Sequence, residues 1–150
     1  MRIKHGTLCL ITLFICFACQ QKKQEIIVEQ AASKFSEYFY NLNYPAAEAL
    51  ATPSSANLLK FLASNVRQQD LDLLHAQTPA TVSILESSID SNGEEAQVIC
   101  QISNALIIDI IKSKAEITES LVDTLQLTKV GSKWLIKKDI QQQNGTQSHD

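Results

Sequence analysis

Chemistry in this chain would have to come from a few carboxylates, three tyrosines and a histidine. Asp109 stands inside the run Ile107-Ile108-Asp109-Ile110-Ile111. A carboxylate among apolar neighbours loses hydration, so its pKa rises and it can act as a general base. The plainer reading has Asp109 facing water from an edge strand. Asp123, in Leu121-Val122-Asp123-Thr124-Leu125, carries the same two readings. Tyr38, Tyr40 and Tyr44 cluster near the end of a helical stretch, where hydroxyls could line a pocket mouth and hydrogen-bond a ligand. Core packing with the hydroxyl at the surface is their commoner use. Tyr38, Tyr44, Asp109 and Asp123 therefore define the speculative pocket. His75 has only Asp70 and Asp72 on the preceding turn to orient it, and reads as a surface histidine; His149 lies in a polar tail. Cys100 sits between Val98 and Ile102 on one side of a strand pattern, as a buried structural thiol would. It has no CxxC partner and no nearby histidine, so neither redox nor zinc chemistry is suggested. No phosphate-binding glycine loop, metal cluster or nucleophile motif is present, and no cofactor is implied. Asn144-Gly145-Thr146 matches a glycosylation acceptor by chance.

The elements that must position these residues change period halfway along the chain. From Glu25 to Leu42, apolar residues at Val28, Ala31, Ala32, Phe35, Tyr38, Phe39 and Leu42 form one buried stripe of a helix. It should stop near Asn43, because Pro45 disfavours helical geometry at Tyr44. Pro45 can open a short second helix through Ala51. Thr52-Pro53 ends it, and Ser54 or Ser55 can cap a third helix reaching about Leu74. His75–Pro79 reads as a loop. From Ala80 the period becomes two. Thr81–Ile89 is a strand, Asp90-Ser91-Asn92-Gly93 a hairpin turn, and Ala96, Val98, Cys100 and Ile102 one face of the partner strand. Leu106–Ile111 reads equally as more strand or as a buried helical turn. Ser113–Ser120 reads as a connection, Leu121–Val130 as a strand, Gly131-Ser132 as a turn and Trp134–Ile140 as the last strand. Trp134 after that turn reads as a sheet-face anchor. Gln141–Asp150 reads as a disordered tail. Helices first and antiparallel hairpins afterwards predict an α+β domain over 25–140.

The start of the chain speaks to location. Arg2 and Lys4 precede an uncharged run of eleven residues, Leu8–Ala18, which ends at Phe17-Ala18-Cys19. A basic start, a short apolar run and a small-residue cleavage point are the parts of a secretory signal peptide, and the run is shorter than the roughly 20 residues of a bilayer span. Its end resembles a bacterial lipoprotein signal, in which cleavage leaves an acylated cysteine at the new N-terminus. Ala18 and Cys19 match; Cys16 stands where that signal usually has an aliphatic residue. The resemblance implies residues 1–18 as signal, Cys19 as the lipid attachment site, 19–24 as a polar tether and the bacterial envelope as location. An ordinary secreted protein and, behind it, a short transmembrane anchor are the alternatives. Cleavage would remove two of thirteen basic residues and no acidic one, leaving eleven against sixteen and a net charge of −5 on 132 residues. That mildly acidic balance argues against nucleic acid as a partner.

The chain as a whole resembles small bacterial lipoproteins of the nuclear-transport-factor-two-like superfamily. The resemblance rests on Ala31-Ala32-x-x-Phe35, Asn43-Tyr44-Pro45-Ala46-Ala47 and Gly131-Ser132-Lys133-Trp134-Leu135-Ile136, and covers about Glu25–Ile140. Pro45 replaces a usual polar residue, and Leu106–Ser120 looks longer than a plain hairpin connection. The resemblance implies helices packed on a curved antiparallel sheet of about four strands, leaving a cone-shaped pocket. That cone hosts unrelated enzymes and many non-catalytic binders, so fold alone assigns no chemistry. Three functions follow as expectations. The first is a membrane-tethered, non-enzymatic domain binding a small apolar ligand or an envelope protein. The second is a hydrolase- or isomerase-like enzyme using a buried carboxylate, and the third a structural subunit of an envelope complex, which would carry a large apolar patch.

Overall fold

The apolar stripe through Val28, Ala32, Phe35 and Phe39 builds one long helix, against which the sheet and the short second helix pack. The computed structural model describes residues 6–109 and 112–138, with side chains from residue 22 onward. Among the described residues the order is α1 (Gly6–Tyr40), α2 (Tyr44–Glu48), α3 (Pro53–Ser64), α4 (Gln68–His75), β1 (Thr81–Ile89), β2 (Glu95–Asp109), β3 (Lys114–Val130) and β4 (Lys133–Lys137). The strands form one antiparallel sheet in sequential order, β1-β2-β3-β4. The expected α+β architecture is therefore present. The core lies between α1 and one sheet face, with Val28, Phe35, Val98, Cys100, Ile102, Leu125, Leu127 and Ile136 all at most 1 % exposed.

α1 includes Gln20–Gln24, the stretch expected as a tether, and Gln24 is bonded to the domain: Trp134 Nε1–H donates to its Oε1 at 3.2 Å. The helix stops before Pro45 matters. Leu42 turns into the left-handed region at φ 55°, and the Asn43 N–H reaches back to the Tyr38 carbonyl at 2.8 Å. A leucine there costs about 1–2 kcal/mol, offset by burying its side chain. Asn43 then caps α2 through its side chain, with Pro45 in the first turn as expected.

The third helix differs from expectation twice. Its cap is Thr52, whose Oγ1 accepts from the Ser55 N–H, so Ser54 and Ser55 already lie inside the first turn. It also ends at Ser64, and Arg67–Asp70 starts a separate α4. The Arg67 N–H donates to Asp70 Oδ2 at 2.9 Å, a side-chain bond that an uninterrupted helix would not require. His75 closes α4 on the surface instead of lying in a loop. Asn41 ties the following segment to the end of α1, with Ala80 N–H donating to its Oδ1 at 2.8 Å and its Nδ2 donating to the Ala80 carbonyl at 3.1 Å.

Leu106–Asp109 is strand, and the Ser113–Ser120 stretch expected as a connection is its partner: β3 begins at Lys114 and pairs Leu106↔Ile117 and Ile108↔Ala115. The polar residues of 114–120 misled because this arm, beyond the last β1 pair at Thr81↔Ser103, has only two strands and wets one side. Asn104, at φ 57°, sits where the sheet narrows. β4 ends at Lys137, and its outer edge is partly covered by Leu50 and Thr52, which exchange backbone hydrogen bonds with Ile136. Ile110, Ile111 and 139–150, including the expected tail, His149 and the Asn144-Gly145-Thr146 match, lie outside the described residues.

Candidate functional site

The core face of the sheet meets the end of α1 in a cluster of rings. Phe39 stacks on Phe35 at 5.8 Å between centroids and meets Tyr40 and Tyr44 edge-on at 5.0 and 5.5 Å. All four rings are at most 6 % exposed, so they pack as core and not as the lining of an open mouth. Tyr38, the remaining tyrosine of the expected mouth, is half-buried beside this core.

Beneath the rings lies a buried polar group. Asp123 points inward because its β3 neighbours alternate with it, and the register sets it opposite Cys100. Its Oδ2 accepts from the Tyr40 hydroxyl at 2.8 Å and from Lys138 Nζ at 2.7 Å. Lys138 is 3 % exposed; its backbone N–H donates to Ser55 Oγ at 2.8 Å, and its ammonium sits 5.0 Å from the Phe39 ring centroid. A buried carboxylate is tolerable only when paired and hydrogen-bonded, and this one is both. Burial, then the charge of Asp123 and the bond to it, push the Tyr40 phenol far above its ordinary value. Burial first and the Asp70 charge second raise Tyr44 in the same direction. Burial also lifts the Cys100 thiol to about 11; Asp123 adds to the rise, while the Ser36 hydroxyl beside it and Lys138 counter it. Such a thiol is almost wholly protonated at neutral pH and chemically quiet. Ser36 is itself fully buried, and its hydroxyl makes no other hydrogen bond among the described residues.

The four expected pocket residues thus separate. Asp123 and Tyr44 belong to the core cluster, and Tyr38 borders it. Asp109 lies at the far end of β2, where Lys112 Nζ approaches its Oδ2 at 3.2 Å and the Lys112 N–H donates to its Oδ1 at 2.9 Å. Its carboxylate is partly exposed beside a turn, so it lacks the apolar burial on which the raised-pKa reading rested. The Cys19 side chain lies outside the described side chains. Lys138 was not anticipated, although a signal existed: alternation from Trp134 and Ile136 carries it to the buried face. A lysine at the end of a strand ordinarily reads as solvated. No group of three or more potential metal ligands occurs among the described residues, nor is any described helix long and apolar enough to cross a membrane.

No protein-family model and no curated protein matches the chain. Two solved structures are similar to it in fold. One is a proposed dehydratase of the NTF2-like family from Streptomyces avermitilis, with TM-score 0.45 and 12 % identity over 77 % of this chain and 92 % of that one. The other is the intermembrane-space region of the chloroplast protein ARC6, with TM-score 0.44 and 12 % identity over 76 % of this chain and 92 % of that one. Likeness at this level assigns neither activity nor family.

Proposed function

We propose that this chain is a lipoprotein of the bacterial envelope, anchored through Cys19, whose α+β domain binds a ligand or a protein partner without catalysing a reaction. The anchor rests on the signal-like run ending at Ala18-Cys19. The binding reading rests on one observation: the core carboxylate is already engaged. Asp123 holds Tyr40 and Lys138 on one oxygen under a closed layer of rings. A general base must reach a substrate proton, and a carboxylate neutralised by a lysine beneath Phe39 has neither access nor a free charge to offer. The alternative enzyme reading keeps one point in its favour, since a carboxylate with a tyrosine donor is a plausible acid–base pair, but it requires the ring layer to open.

Two variants of the full chain test the two halves. Cys19→Ser should leave the protein soluble or unprocessed; continued processing and membrane attachment would refute the anchor. Asp123→Asn should lower stability by about 3–5 kcal/mol, because it strands Lys138 in the core. Unchanged stability with an abolished activity would assign Asp123 to catalysis instead.

A further inference from the structure

The outward side of α1 carries a composition that folding does not require. Val28, Ala32, Phe35 and Phe39 turn one side of the helix to the sheet. On the other side Lys22, Lys23 and Lys34 are exposed, beside Ile26 at 47 % and Ile27 at 37 % exposure. Between Lys22 and Lys34 the two acids lean toward β1, where the Ser87 hydroxyl lies 3.2 Å from Glu25 Oε1 and 2.6 Å from Glu29 Oε1; Glu37, one turn beyond Lys34, is exposed on the outward side. α1 is continuous from Gly6 to Tyr40 and advances about 3.6 residues per turn. Ile26 therefore shares the phase of Lys22 and Lys23, opposite Val28. The Trp134–Gln24 bond holds this turn against β4, so the face has a fixed orientation relative to the domain.

We propose that this face of α1 docks on an anionic lipid bilayer, with the lysines at the headgroups and Ile26 and Ile27 entering the interfacial region. The proposal rests on the reading of Cys19 as the lipidated residue and adds that the domain lies on the membrane instead of swinging above it. Basic side chains flanking exposed apolar ones, on a helix too polar to span, are the signature of interfacial binding. Each lysine at an anionic surface contributes about fivefold to the partition. The remaining surface is net acidic and would be turned outward by the same field. A second copy fits this face poorly, because it would set lysines against lysines. Two isoleucines also fall well short of the roughly 800 Å² per partner of a stable protein interface.

The test uses the lipidated full chain bearing Ile26→Cys with a nitroxide label, reconstituted in vesicles of phosphatidylcholine and phosphatidylglycerol; Cys100 is buried and should not compete for the label. The label should be open to oxygen and shielded from a water-soluble nickel chelate. Adding Lys22→Glu and Lys23→Glu should shift docking by on the order of thirtyfold or more, exposing the label to nickel while the protein stays on the vesicles. A label open to nickel before those changes, on vesicle-bound protein, overturns docking and leaves the anchor standing. Shielding with dipolar broadening between labels gives the face to a second copy and also overturns it. Protein that does not remain with the vesicles at all refutes both the anchor and the docking built on it.

Discussion

Tyr40, Asp123 and Lys138 share one carboxylate oxygen but should contribute unequally. Tyr40→Phe removes a neutral donor and leaves the ion pair, so the cost should be about 1–3 kcal/mol. Lys138→Met removes the only charge paired with Asp123 among the described residues and leaves a carboxylate buried beside Phe39. That loss should reach about 3–5 kcal/mol. Denaturant titration of the two variants ranks them. Equal losses would mean that the lysine is solvated in the folded protein. Replacing the trio together, with Tyr40→Phe, Asp123→Leu and Lys138→Met, should recover most of the loss, because no buried polar group is then left unmatched.

At the level of elements, α3 and α4 are separated by a device that reports on pH. Asp70 is 1 % exposed and accepts from the Arg67 N–H at 2.9 Å, from Nε at 3.2 Å and from one terminal guanidinium nitrogen at 3.1 Å. Burial alone would raise its pKa. The side-chain and backbone bonds from Arg67, together with the guanidinium charge, outweigh it and hold the carboxyl below its ordinary value. A depressed folded pKa favours the folded state wherever the group is ionised. The contribution is complete above the unfolded value of about 3.9 and disappears as the pH falls through the lower folded value. Asp70→Asn should therefore cost about 1.5–3 kcal/mol at neutral pH. The gap between wild type and variant should close under strong acid. A gap that stays constant with pH would mean that packing, not charge, sets the residue's contribution.

Across the whole molecule, α1 acts as the mandrel for the sheet and α2, while α3 packs on α2 and β4. The stripe of α1 reaches β4 through Gln24 and Trp134 at one end and Asp123 through Tyr40 at the other. Phe39 is the centre of this arrangement, touching Phe35, Tyr40, Tyr44 and the Lys138 ammonium. Phe39→Ala should cost about 3–5 kcal/mol if these rings close the cone. A loss of only about 1 kcal/mol, together with altered ligand binding, would mean that the cone opens in solution and would revive the enzyme reading.

Local pattern was enough for much of this architecture. The 3.6-residue stripe of α1, Pro45 opening α2, the alternation of β2 and the Gly131-Ser132 turn follow from backbone and side-chain periodicity, which acts over a few residues. The alternation around Cys100 likewise carried its burial. Other features depend on partners far along the chain. Whether Leu106–Asp109 is strand was settled by pairing with Lys114–Ile117, and whether 114–120 is connection or strand by the same pairing. Asp109 and Asp123 have similar apolar neighbours in sequence but opposite environments. Asp123 lies 83 residues from Tyr40 and 15 from Lys138, and only the register of β3 against its neighbours brings the three within hydrogen-bond distance. Periodicity can say which side of a strand a carboxylate occupies. Whether that side meets water, a lysine or an open pocket depends on what folds over it, and here that was decided by Phe39 and the return of the chain at Lys138.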